Sequence, residues 1–169
     1  MLQLKKLNFN DIEKEYKAII SIPNMENGFE NKYFNVTFEE FKSKVFPLLI
    51  NNSNGIDLEE GYVPDTYYFL WDNEDIVGLF KIRHYLNDFL RNGPGHIGYC
   101  VLKEYRGQGY ATKGLRLAIE EAKKIIPEDE IYMSINKDNL ASLKVQEKCG
   151  AVVVSETADG SGYLTRIKL

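Results

Sequence analysis

Apolar and polar positions alternate over residues 2–7, which predicts a first strand, and Asn10 or Asp11 then caps a helix carrying Ile12, Tyr16, Ile19 and Ile20. Pro23 ends that helix. Residues 24–35 are polar and turn-rich but hold Phe29, Tyr33 and Phe34, aromatics that either pin a loop to the core or wall a substrate pocket. Thr37-Phe-Glu-Glu40 is a capping box that opens a helix through Phe41, Val45 and Leu48 to Leu49, closed by the Asn- and Gly-rich residues 51–55. After a turn segment over residues 59–65, apolar runs over 66–71 and 76–83 predict two strands joined as a hairpin by 72–75. An irregular stretch over 84–95 leads to another short apolar strand, which ends at Leu102.

The clearest helical period follows. Ala111, Leu115, Ala118, Ile119, Ala122 and Ile125 recur at helical spacing, Lys113, Arg116, Glu120, Glu121, Lys123 and Lys124 fill the other face, and Pro127 stops the helix. Residues 131–135 read as a strand, 136–139 as a polar turn and 140–148 as a second helix with Gly150 as its C-terminal cap. Residues 151–154 and 163–169, separated by 157–162, read as a closing hairpin. No repeat, low-complexity run or linker interrupts the order, so residues 1–169 are expected to form one α/β domain with a mixed, mostly antiparallel sheet flanked by helices.

Composition narrows the setting. With 169 residues, 44% apolar and 27% charged, the chain can bury a core without metals or disulfides, and no run approaches the ~18 apolar residues of a membrane span. The first residues, Met-Leu-Gln-Leu-Lys-Lys, lack the apolar core of a signal peptide, so a cytoplasmic protein is expected. Cys100 and Cys149 lie in unrelated contexts without a nearby His pair, which predicts reduced thiols and no metal site. A net charge of −4 with mixed signs argues against nucleic-acid binding.

The candidate chemistry lies where the strand ending at Leu102 passes through Arg106-Gly-Gln-Gly109 into the long helix. Several backbone N–H groups there have no intrahelical partner and point the same way, which makes an anion cradle. Gly107 and Gly109 admit a phosphate close to the main chain. A dinucleotide fingerprint fails because Thr112 stands where a third glycine belongs, and a P-loop fails because Leu115 follows Gly114 in place of lysine.

Arg106-x-x-Gly109-x-Ala111 at a strand-to-helix junction resembles the acetyl-CoA signature of the GNAT family of acetyltransferases. A second segment, Asn139-Leu-Ala-Ser142 continuing to Glu147-Lys-Cys-Gly150, is similar to the family's second helix, and with the flanking strands the resemblance covers residues 76–154. It implies a GNAT-like acyl-CoA N-acyltransferase fold and transfer of an acetyl group from acetyl-CoA to an amine on a small molecule or peptide. The pyrophosphate would lie on Arg106, Gly107, Gln108, Gly109, Tyr110, Ala111 and Thr112, and the pantetheine beside Cys100 and Val101. Asn139 and Ser142 would meet the cosubstrate from the second helix, with Asn139 also serving as its N-cap. No membrane partner is expected, and a homodimer is compatible with the sequence.

Direct attack needs a neutral amine, and an alkylamine of pKa ~10.4 carries a ~4.6 kcal/mol handicap at pH 7. His96 and His84 are the candidates for a general base, each alternatively a hydrogen-bonded structural histidine. Arg83 could orient an anionic substrate group. Many relatives carry a tyrosine as acid just before the Glu-Lys of the second helix; here that residue is Gln146, so either Tyr163, Tyr132 or water would take its place or the thiolate would leave unaided. Loss of that acid leaves a different reading open, a catalytically silent acyl-CoA sensor.

Overall fold

The computed structural model describes residues 1–169. Strand β1 (Leu2–Lys6) is followed by a 3-10 turn and helix α1 (Ile12–Ser21). Strands β2 (Met25–Glu26) and β3 (Phe29–Glu30) make a small hairpin, and α2 (Phe38–Glu40) runs through a π-helical turn over Phe41–Val45 into α3 (Phe46–Ser53). Next come β4 (Asp65–Asp72), β5 (Asp75–Arg83), the short α4 (Asp88–Arg91) and β6 (Ile97–Val101). The chain closes with α5 (Tyr110–Ala122), β7 (Glu130–Asn136), α6 (Leu140–Lys148), β8 (Val152–Glu156) and β9 (Gly162–Lys168).

Two antiparallel sheets result, one in the order β1-β4-β5-β6 and the other β7-β9-β8. The run Tyr68-Phe69-Leu70-Trp71 in β4 is apolar throughout because its sheet is covered on both faces. Tyr68 and Leu70 join Phe80, Leu115, Ala118 and Ala122 in the core beneath α5, while Phe69 and Trp71 join Ile19, Phe41, Val45 and Leu49 beneath α1 and α3. Gly114 lets α5 lie close, since a Cβ there would fall 2.4 Å from Phe80 Cζ.

The sheets meet at one place. Gly95 bridges to Met133, and the His96 N–H donates to Tyr132 O at 2.6 Å. Gly95 has φ +67°, and a Cβ on it would stand 2.0 Å from Tyr132 O, so only glycine fits this junction. Beyond it β6 has only β5 as a strand partner, and its other edge opens into a wedge facing β7 and α6.

Some expectations change in detail; α5, expected to run through Ile125, ends at Ala122. Residues 24–35 contain a hairpin that turns on Asn27 (φ +51°) and Gly28 (φ +81°). The helix opened by Thr37 extends to Ser53 and widens into its π turn just before Pro47, which has no N–H to give the preceding turn. Leu48 is on the outer face, at 40% exposure, while Phe41, Val45 and Leu49 hold the core.

Candidate active site

The larger of two adjoining clefts, about 420 Å³, lies along the free edge of β6. After Leu102 a 3-10 turn over Lys103–Tyr105 leads to Arg106, Gly107 at φ +77° and Gly109 at φ +82°, the N-cap of α5. No side chain caps that helix, so its first-turn N–H groups and positive dipole end are left for a ligand. An ideal Cβ on Gly107 or Gly109 would meet nothing within 4 Å, which is the open space an approaching phosphate requires.

Cys100, Val101, Arg106, Gly107, Gly109, Tyr110, Ala111 and Thr112 line this cleft from one side, and Asn139, Ser142 and Lys148 from α6. Gln108 does not; its side chain turns out and donates to Glu104 O at 3.2 Å. Asn139 is the N-cap of α6, its Oδ1 accepting from the Ser142 N–H at 3.2 Å, and it lines the cleft as well. Arg106 ties the loop down by donating from Nε to Val101 O at 3.0 Å. Its Nη1 also donates to Glu26 at 3.1 Å, which holds the Glu26 carboxyl below its usual range. The β2–β3 hairpin thus roofs the wedge, pinned to Arg106 on one side and by Asn139 Nδ2 to Asn27 O at 3.4 Å on the other.

A second cleft, about 230 Å³, continues under the hairpin toward the sheet junction. Asn27, Tyr99 and Ser142 line both clefts and so mark where they meet. There the Tyr99 hydroxyl and Ser142 Oγ are hydrogen-bonded at 2.9 Å, and burial pushes the Tyr99 phenol up to about 12, so it stays protonated. Gln146 lines the second cleft, but its Oε1 is taken by the Thr165 hydroxyl at 2.6 Å. Deeper in, β4 and β5 contribute Asp65, Tyr67, Lys81 and Arg83, with Asp65 held by Lys81 at 2.8 Å.

Neither histidine, expected as a candidate base, lines either cleft. His96 is fully buried; Nδ1 accepts from the Tyr132 N–H at 3.0 Å and Nε2 meets Glu128 at 3.0 Å, so no ring nitrogen is left for an amine. Burial holds its pKa below the usual value. His84 Nε2 bonds Thr66 Oγ1 at 2.8 Å outside both clefts. Tyr163 is also outside them, with Lys137 Nζ 5.4 Å over its ring. The Cys100 thiol lines the larger cleft, yet burial raises it to about 12, and a protonated thiol is no nucleophile. No group of three or more His, Cys, Asp or Glu stands together as metal ligands do.

The sequence reading missed Tyr99 and the roof. For the hairpin the signal is present, since Asn27-Gly28 is the strongest short hairpin cue. For Tyr99 the cue is strand alternation, which puts it on the opposite face from Gly98 and Cys100 and hence toward α6.

A family profile described as an acetyltransferase (GNAT) domain matches residues 19–152. No curated protein matches the chain in sequence. Among solved structures, a ribosomal-protein-S5-alanine acetyltransferase from Vibrio fischeri superposes with a TM-score of 0.68 at 18% identity, covering 99% of this chain and 92% of that one. A spermidine N-acetyltransferase from Vibrio cholerae, in complex with CoA and spermine, gives 0.63 at 16% identity, covering 98% and 92%. A GNAT-family acetyltransferase from Streptococcus pneumoniae gives 0.64 at 16% identity with 100% of both chains covered. At these identities the likeness is one of fold.

Proposed function

The chain belongs to the GNAT acetyltransferase family, and we propose that it binds acetyl-CoA in the larger cleft and passes the acetyl group to an amine that enters through the smaller one. The observation that carries this reading is the pair of open glycines at the uncapped start of α5, beside a free strand edge that runs to a second cleft at Tyr99 and Ser142. The pyrophosphate would take backbone N–H groups from Gly107 to Thr112, and the pantetheine arm would lie along the edge of β6. The whole chain, residues 1–169, is read as one catalytic domain in a cytoplasmic setting; no helix is long and apolar enough to cross a membrane.

In the proposed reaction the neutral amine nitrogen attacks the thioester carbonyl, the C–S bond breaks, CoA leaves as thiolate, and the surplus proton on the new amide nitrogen passes to solvent. The Tyr99 hydroxyl, paired with Ser142, is placed to donate a hydrogen bond to the negative charge that develops on the carbonyl oxygen or the sulfur. With a phenol raised to about 12 against a thiol near ~8.5, hydrogen-bond donation and not full proton transfer is its contribution. Gln146 carries no such role. No histidine lines either cleft, so the amine gives its proton to solvent before attack. That costs ~4.6 kcal/mol for an alkylamine but only about 1 kcal/mol for a peptide α-amine of pKa ~7.7–8.0.

The test is thiol release from acetyl-CoA by the purified protein, with and without amines, alongside mass analysis of the product. Amine-dependent release with a mass gain of one acetyl group supports the reading. Tight acetyl-CoA binding without release from any amine would leave a CoA sensor instead.

A further inference from the structure

The inner end of the second cleft has an uncommitted cation. Arg83 donates from Nη1 to Gly95 O at 3.0 Å, but it has no other hydrogen-bond acceptor and no carboxylate within ion-pair distance. None of its nitrogens is buried without a partner, and the residue lines the cleft. The hydroxyls of Tyr33 and Tyr67, which line the same space, also have no protein partner and are unsealed. Burial raises both phenols, so they stay as neutral donors.

The other charges do not cancel Arg83. Asp65, the cross-strand partner of Arg83, attracts it, but Lys81 also holds Asp65 Oδ2 at 2.8 Å, so the three groups together keep one net positive charge. Glu30 and Lys32, both exposed on the hairpin side, offset one another at the mouth. One uncompensated positive charge with two phenol donors is a site for an anion, and it is a poor one for a polycation.

We propose that the amine acceptor carries a terminal carboxylate, which Arg83 anchors with Tyr33 and Tyr67 at the closed end of the cleft. This rests on the acetyl-transfer reading above and names the acceptor class, a small zwitterion such as an amino-acid-like molecule or a short peptide. Position supports the length. The Arg83 N–H bonds His96 O, three residues before Tyr99 on β6, or about 10 Å along the strand. An extended dipeptide of about 7 Å and an arginine arm cover that span together. Gly95, which Arg83 holds, bridges the two sheets at Met133. A dipeptide also offers an α-amine of low pKa, which suits a cleft without a histidine.

The experiment compares glycylglycine with glycylglycinamide, which share an α-amine and differ in the anion, with spermidine as a third acceptor. For the wild-type protein kcat/KM should favour the acid over its amide by about ten- to a hundredfold, the effect of one charge-assisted contact, with spermidine the weakest. In Arg83→Gln that preference should fall to within about threefold, and Arg83→Lys should keep part of it. Tyr67→Phe, which leaves the sheet junction untouched, should reduce it severalfold. An amide used as well as the acid, a preference for spermidine, or an equal loss for both dipeptides in Arg83→Gln would overturn the proposal. Should no amine be acetylated, the same dipeptides are titrated calorimetrically into the protein. Acid-selective binding that Arg83→Gln abolishes would keep the anchor while the transfer reading fails, and no discrimination would remove the anchor.

Discussion

Gly109→Ala separates the cost of backbone strain from the loss of a ligand site. Gly109 sits at φ +82°, and an alanine in that left-handed region costs about 1–2 kcal/mol. Gly150, the cap after α6, has φ +92°, and a Cβ there would also meet nothing within 4 Å, but it lies outside both clefts. The two alanine variants should therefore unfold at similarly lowered temperatures, by roughly 2–8 °C for a chain of this size. Their binding should differ. At Gly109 the methyl group enters the space a phosphate needs, and losing two charge-assisted N–H contacts at about 1.5 kcal/mol each costs about 3 kcal/mol. That is a fall of about a hundredfold in affinity for CoA, against no change for Gly150→Ala. Thermal unfolding and calorimetric titration on the same samples give both quantities. CoA affinity within threefold of wild type in Gly109→Ala, or an equal fall in Gly150→Ala, would refute the assignment of the loop.

Two further outcomes are expected. Tyr99→Phe should lower kcat on the order of a hundredfold while leaving CoA affinity within about twofold, measured by thiol release and titration; an unchanged kcat would remove Tyr99 from the chemistry. Glu15 is fully buried, accepts from the Asn8 N–H at 3.1 and 3.2 Å, and is raised from 4.5 to about 8 by burial. The folded state then binds a proton more readily than the unfolded one between those values, so this residue's contribution to stability falls as pH rises from about 4.5 to about 8. Urea unfolding should show Glu15→Gln gaining on wild type between pH 5 and pH 8, and a constant difference would contradict the burial argument.

Local signals made much of the fold and the glycine loop legible. The helical period that starts at Ala111, the capping box at Thr37 and the glycines of the loop act within a few residues, and each stands where the pattern put it, although the helix ends at Ala122, short of the expected Ile125. The acceptor side was less legible because it depends on long-range placement. Whether His96 faces a ligand is decided by Glu128 and Tyr132, more than thirty residues away, which take both its nitrogens. Arg83 read as a candidate anion contact, but its lack of a counter-charge follows only from Lys81 having claimed Asp65 across the β4–β5 pair. Tyr99 became a candidate only once α6 had brought Ser142 against it.

The most direct test is a crystal structure of the protein with bound acetyl-CoA. The pyrophosphate should lie within hydrogen-bond distance of the backbone N–H groups from Gly107 to Thr112, with the thioester between Tyr99 and Ser142 at the meeting of the two clefts. A pyrophosphate held elsewhere, or a thioester pointing away from the Arg83 cleft, would contradict the account.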